Sequence, residues 1–156
     1  MFRPIRKKKN EISMDDAKIL LTEARRGVLA VNGDDGYPYA IPVNYFYDED
    51  TQKLYFHGSR VGHKAEALKK CDKVCFTVLG PEVIKAEKWA PFVRSVAVFG
   101  RCRPIDDPSG TLIRKFAMKY YPDEKLANEE IAISGRAVQM YEIEIEHLSG
   151  KEVQER

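Results

Sequence analysis

KLYFHGSRVGHKAEAL, residues 53–68, lays out a strand, a glycine-bearing turn and the start of a helix in one short stretch. Leu54, Tyr55 and Phe56 suit a strand, because aromatic and bulky apolar side chains pack well on a pleated surface. Gly58 and Gly62 bracket a turn with small and basic residues inside it, and Ala65 and Leu68 begin an apolar helical face. A turn that runs into a helix start offers free backbone N–H groups and the positive end of the helix dipole. Ser59 adds a hydroxyl, and Arg60, His63 and Lys64 add positive charge. These residues together describe an anion site, most simply for a phosphate. An ordinary strand-to-helix connection with a solvated basic rim fits the same residues.

A chain of 156 residues is long enough for one domain with a real core. Its net charge of +2 is too small to imply a nucleic-acid partner by itself. Cys71, Cys75 and Cys102 are odd in number and form no CxxC, which points to a reducing cytoplasm, no disulfide framework and no metal site. No apolar run approaches the ~18 residues of a membrane span. The N-terminus lacks the apolar core of a signal peptide, so a cytoplasmic location without a membrane is expected.

Residues 1–11 form a basic arm with Arg3, Arg6, Lys7, Lys8 and Lys9, best read as a flexible or edge-packed tail. Ser13 and Asp16 have capping-box spacing, Ile12 and Ala17 form a staple, and Ala17, Leu20, Leu21 and Ala24 give a helix one buried face. Gly27 is the expected stop. Strands are expected over 28–31, 37–47, 54–57, 74–79, 95–104 and 137–146, and a second helix over 62–71. The turn at 32–36 is a hairpin signal. Pro38 and Pro42 cannot donate to a ladder, so their strand must meet an edge, a bulge or a ligand there. Gly100 marks a bulge or a close approach. Asp107 and Pro108 read as N-cap and first residue of a third helix that ends before Pro122. Residues 147–156 read as a polar tail. Hairpin-length links and few helices favour a mainly β fold, a six-stranded, largely antiparallel small barrel with flanking helices.

The familiar catalytic motifs GxSxG, HExxH, GxxxxGK[ST] and GxGxxG are absent. The aromatic, proline-interrupted strand at 37–47 followed by a phosphate-type turn suits a flat heterocycle carrying a phosphate, with Asn44 able to add a side-chain amide. A strand whose aromatics simply fill a barrel fits as well.

The pieces Gly36-Tyr37-Pro38-Tyr39, Pro42-Val43-Asn44-Tyr45, 54–58, Gly62-His63-Lys64, Val74-Cys75-Phe76, 95–100 and 143–151, in this order and spacing, resemble the nitroimidazole-resistance (Nim) branch of the pyridoxamine-phosphate-oxidase-like flavoproteins. The resemblance runs from about residue 10 to 152, which delimits an arm at 1–11, one domain at 12–152 and a tail at 153–156. It implies a split β-barrel of the FMN-binding type that holds FMN non-covalently at a homodimer interface. Pro42, Val43, Asn44 and Tyr45 would lie along the flavin. His57, Gly58, Ser59, Arg60, His63 and Lys64 would surround its phosphate, with Lys64 the firmest match and His57 near the flavin. The segment from Trp89 to Ser95 would reach in from the partner subunit. The chain lacks the C-terminal arginine and histidine pattern of true pyridoxamine-phosphate oxidases, so vitamin B6 oxidation is not implied. The function implied is an FMN-dependent reductase of a small acceptor such as a nitroaromatic, with NAD(P)H as a possible donor and no assigned catalytic side chain. The rivals are a flavin-binding module without turnover, a haem-binding split barrel using His57 or His63, and a nucleic-acid binder using the basic arm.

Overall fold

Alternating apolar and polar side chains, and turns that bring neighbouring strands back on themselves, build one antiparallel sheet. The computed structural model describes residues 1–121 and 123–155. Among them run α1 (Met14–Glu23), β1 (Arg26–Asn32), β2 (Pro38–Asn44), β3 (Phe46–Asp48), β4 (Lys53–Gly58), α2 (His63–Lys70), β5 (Lys73–Val83), β6 (Phe92–Ile105), α3 (Thr111–Tyr120), α4 (Glu124–Ser134) and β7 (Gln139–Gln154). The sheet order is β2-β1-β5-β6-β7-β4-β3, and each strand pairing is antiparallel.

One residue closes this sheet. β2 and β3 stand at its opposite edges, yet only Tyr45 separates Asn44 from Phe46 in the chain. The sheet must therefore curl until its edges meet, which makes a split barrel, mainly β, with the helices flanking it. The turning point is held by side chains. The Tyr45 N–H donates to Tyr120 Oη at 2.7 Å, and the buried Tyr45 hydroxyl donates to the Leu21 carbonyl at 2.6 Å. The Tyr45 ring meets Phe76 edge-on.

The main core lies inside the curl. Leu29 and Val31 of β1, Phe76 and Val78 of β5, Val96 and Val98 of β6, Ile143 of β7 and Leu20 and Leu21 of α1 fill it. Phe46, Tyr55, Phe116 and Met140 form a smaller cluster beneath α3. β4 is buried on both faces for this reason, with Leu54 and Phe56 facing the main core and Tyr55 facing α3.

Several sequence expectations hold. Ser13 Oγ accepts the Asp16 N–H, so α1 starts as its capping residues dictate. β2 is an edge strand, which is why Pro38 and Pro42 are tolerated in it. The β6–β7 register shifts between Phe99 and Gly100, and a Cβ at Gly100 would lie 2.2 Å from the Glu144 carbonyl oxygen. The basic arm is packed on the sheet: the Glu11 backbone forms an isolated antiparallel bridge beside Lys151 of β7, and Phe2 stacks on Phe99 and His147 of β6 and β7.

Others are corrected. The sheet has seven strands, because Tyr45 breaks the expected 37–47 strand in two. Gly27 does not stop α1, which ends at Glu23 with Ala24 extended; it sits inside β1, where the Phe76 ring occupies the space a side chain would need. β5 continues past Gly80-Pro81 to Val83 through a bulge between Leu79 and Glu82, and β6 starts at Phe92. α3 begins at Thr111 and not at Pro108, since Gly110 at φ 69° delays it; Asp107 still serves its start by accepting the Leu112 and Ile113 N–H groups. Residues 147–154 are the second half of β7 and not a tail, because they pair with the first half of β6 and Gly150 tucks under Ile12 and Ala17. The stop at Pro122 and the last tail residue, Arg156, lie outside the described residues. α4 has no counterpart in the sequence reading, although the Asp123 carboxylate accepting the Leu126 N–H is a sequence-visible cap.

Candidate functional site

β4 ends at Gly58, and the chain then turns through residues 59–62 into α2. Gly62 takes φ 107°, a conformation that L side chains rarely adopt, and no side chain caps the helix it opens. Among the described residues the first-turn N–H groups of α2 have no side-chain acceptor, whereas Ser13, Asp107 and Asp123 serve the starts of α1, α3 and α4. The turn is fixed from below and within. Tyr141 Oη donates to the Ser59 carbonyl at 2.8 Å, and Ser59 Oγ accepts the Val61 N–H at 3.2 Å.

Lys64 is half-buried beside this turn. Its ammonium lies 5.0 Å from the Phe56 ring centre and 5.7 Å from that of Tyr141, and a Cβ on Gly58 would stand 2.8 Å from it. Gly58 thus leaves the space this amine occupies. Lys64 has no ion pair or hydrogen bond among the described residues. Burial pushes its pKa down, with the Cys102 thiol pulling weakly the other way. An ammonium that is partly dehydrated and lacks an acid beside it is poised for an external anion.

The remaining expected site residues separate into groups. His63 is exposed but engaged: its ring stacks on Tyr39 of β2 at 4.1 Å, and Nε2 lies 3.6 Å from the Asp34 carboxylate. Lys70 first, and His63 after it, hold the Asp34 carboxyl below its ordinary pKa. This brace ties the β1–β2 turn and β2 to the start of α2, and the sequence reading did not find it. His57 packs edge-on against Phe116, and its pKa is lowered by desolvation first and by Lys64 second. Its imidazole is therefore biased toward the neutral form near pH 7.

On β2, Pro42 and Asn44 point to the exposed side while Val43 packs on the core. Tyr45 is not brought to this surface, because its ring and hydroxyl are in the core and its N–H is bonded to Tyr120. Pro42 and Ser95 line one shallow groove of about 350 Å³ with Arg26, Val28, Thr77 and Leu79. Trp89 sits on the β5–β6 connection, with 79% of its surface exposed. Arg60 is exposed and lines a cavity beside α3 and α4.

Cys71, Cys75 and Cys102 are free thiols, and burial pushes the Cys102 thiol up to about 12. Among the described residues no helix is long and apolar enough to cross a membrane.

The family model described as Pyridoxamine 5'-phosphate oxidase matches residues 13–152. Sequence comparison with curated proteins finds no match. Among solved structures, the chain is similar to a proposed 5-nitroimidazole antibiotic resistance protein from Bacteroides thetaiotaomicron, with 19% identity, TM-score 0.76 and coverage of 92% of this chain and 87% of that one. It is similar to a FAD-binding protein from Mesorhizobium loti, with 24% identity, TM-score 0.65 and coverage of 94% and 96%. It is also similar to a FAD and haem binding protein from Mycobacterium smegmatis, with 20% identity, TM-score 0.71 and coverage of 96% and 75%. At these identities the structural likeness concerns the fold.

Proposed function

On the premise that this chain belongs to the pyridoxamine 5'-phosphate oxidase family, we propose that it is an FMN-binding flavoprotein of the Nim-like branch that reduces a small acceptor. The observation that carries the reading is the half-buried Lys64 ammonium, without an acid partner among the described residues, beside the uncapped start of α2. A dianionic phosphate would satisfy both. The names of the similar structures, which include FAD-binding proteins, support a flavin as the group attached to that phosphate. Bound here, FMN would supply hydride and single-electron chemistry toward an acceptor of nitroaromatic type, with NAD(P)H as donor.

The chain's own residues bind, orient and shield. Lys64 and the α2 N–H groups neutralise the phosphate, while Gly58 and Gly62 let the backbone approach it. Pro42, Val43 and Asn44 would form the edge that holds the ring. Tyr45 positions that edge from the core. His57, whose pKa burial and Lys64 push down, would add little charge beside the phosphate turn.

A homodimer completes the site in this proposal. The outward face of β2, β1 and β5 carries exposed Val28, Pro42 and Leu79, and Trp89 projects from the neighbouring connection. A second copy laid on this face would cover the apolar side chains and bring its Trp89 and Ser95 toward the flavin edge.

The absorbance spectrum of the purified protein, before and after FMN addition, tests the reading. Flavin bands, or a shift of the FMN spectrum on mixing, are expected. A colourless protein that leaves the FMN spectrum unchanged would overturn it. Bleaching by NAD(P)H separates a reductase from a module without turnover, and a Soret band would favour the haem-binding alternative.

A further inference from the structure

A large open cavity lies beside the phosphate turn, between the end of β6, the start of β7 and the helices α3 and α4. It measures about 1090 Å³, just above the roughly 300–1,000 Å³ of small-molecule sites. Ile105, Val138 and Met140 give it an apolar floor. Arg60 and Arg136 enter it from two different segments, and neither has an ion pair among the described residues. Asp106 also lines it without an ion pair there, whereas Asp107 is engaged by the start of α3.

This combination of two guanidinium groups, two carboxylates, of which Asp107 is already engaged by backbone N–H groups, and an apolar floor does not suit a simple anion, which Asp106 would repel. It suits a ligand with phosphates at one end and hydroxyl or amino donors on a flat base at the other. Arginine forks match phosphate oxygens. A carboxylate accepts from ribose hydroxyls, as in dinucleotide-binding sites generally. Arg60 lies within the 59–62 turn itself, so the cavity shares a residue with the turn beside the proposed flavin phosphate.

We propose that this cavity binds the adenosine diphosphate moiety of a dinucleotide, with Arg60 and Arg136 on the phosphates and Asp106 on the ribose or the base. The proposal deepens the flavoprotein reading and rests on it for the placement of the flavin. Two sources carry the moiety: the adenylate half of a FAD bound in place of FMN, or a reduced nicotinamide dinucleotide.

Calorimetric titration of ADP, FMN and FAD into the intact protein tests it, with Arg136→Ala, Arg136→Lys and Asp106→Asn as variants. Arg136 and Asp106 are exposed, so these changes leave the core untouched. ADP is expected to bind, at least tenfold more weakly to Arg136→Ala, with partial recovery in Arg136→Lys and FMN affinity unchanged. FAD binding more tightly than FMN, with the difference lost in Arg136→Ala, identifies the flavin as the source. Equal affinities for FAD and FMN, with NAD(P)H binding weakened in Arg136→Ala, identify the donor. Absence of ADP binding, or equal ADP affinity in wild type and Arg136→Ala, overturns the proposal while FMN binding leaves the flavoprotein reading standing. Loss of FMN binding in Arg136→Ala also overturns it, because Arg136 would then belong to the flavin phosphate site.

Discussion

Replacing Lys64 by methionine separates binding from folding. The ammonium sits over the Phe56 and Tyr141 rings at 5.0 and 5.7 Å, a contact on the scale of about 0.5–1 kcal/mol. Against this stands the partial dehydration that pushes its pKa down. Methionine keeps the stem and similar volume and removes the charge, so the two effects largely cancel. The unliganded stability is expected to change by no more than about 1 kcal/mol. The charge-assisted bond to a phosphate has no such offset, and its loss should cost about 1.5–3 kcal/mol of FMN affinity, roughly tenfold to 150-fold in Kd. Urea unfolding of the flavin-free protein and fluorescence titration with FMN give the two numbers. The pH dependence adds a third check. With the folded pKa below the unfolded value of about 10.5, the unfolded chain binds more protons between the two, so this lysine makes stability rise with pH across that window. That rise should be missing from Lys64→Met. Unchanged FMN affinity would place the phosphate elsewhere. A stability loss above about 2 kcal/mol would make Lys64 a structural pin and refute the reasoning.

Three further outcomes are expected. Tyr120→Phe removes the hydroxyl that receives the Tyr45 N–H and faces the Tyr45 and Arg25 carbonyls, so thermal unfolding should report a loss of about 1–3 kcal/mol. Gly27→Ala would put a Cβ 2.2 Å from Phe76 Cζ, and denaturant unfolding should show about 1–3 kcal/mol of overpacking cost; an unchanged midpoint would contradict the close approach. Glu152 has its pKa lowered by Lys85 first and Arg94 next, so its contribution is complete above its ordinary value of 4.5 and fades as pH falls through the folded value. Wild type should therefore exceed Glu152→Gln by up to about 1 kcal/mol near pH 7, with the gap closing in acid when Tm is followed against pH.

Much of the fold was legible locally. Ser13 and Asp16 announce α1, the turn at 32–36 announces the β1–β2 hairpin, and Pro38 and Pro42 announce a strand that meets an edge, a bulge or a ligand, of which the fold selects the edge, because caps, turns and missing donors act through neighbouring atoms. The second half of β7 escaped for the opposite reason. Its polar residues look like a tail until β6 lies beside them and Arg94 and Lys85 meet Glu152. α4 was missed through its weak apolar face, in which only Ala127 is buried.

For the site, residues 53–68 by themselves determined a strand, a glycine turn and an amine-bearing helix start, since backbone chemistry and spacing suffice for that. Tertiary structure alone decided what the turn is joined to. Tyr45 joins strands at opposite edges of the sheet, so the sheet curls and β2 comes to α2. That curl sets Lys64 over two core rings without an ion pair among the described residues, sends His63 to Asp34 and Tyr39, and puts Arg60 on the cavity beside α3 and α4. Each of these depends on residues distant in the chain, and only the closed barrel places them side by side.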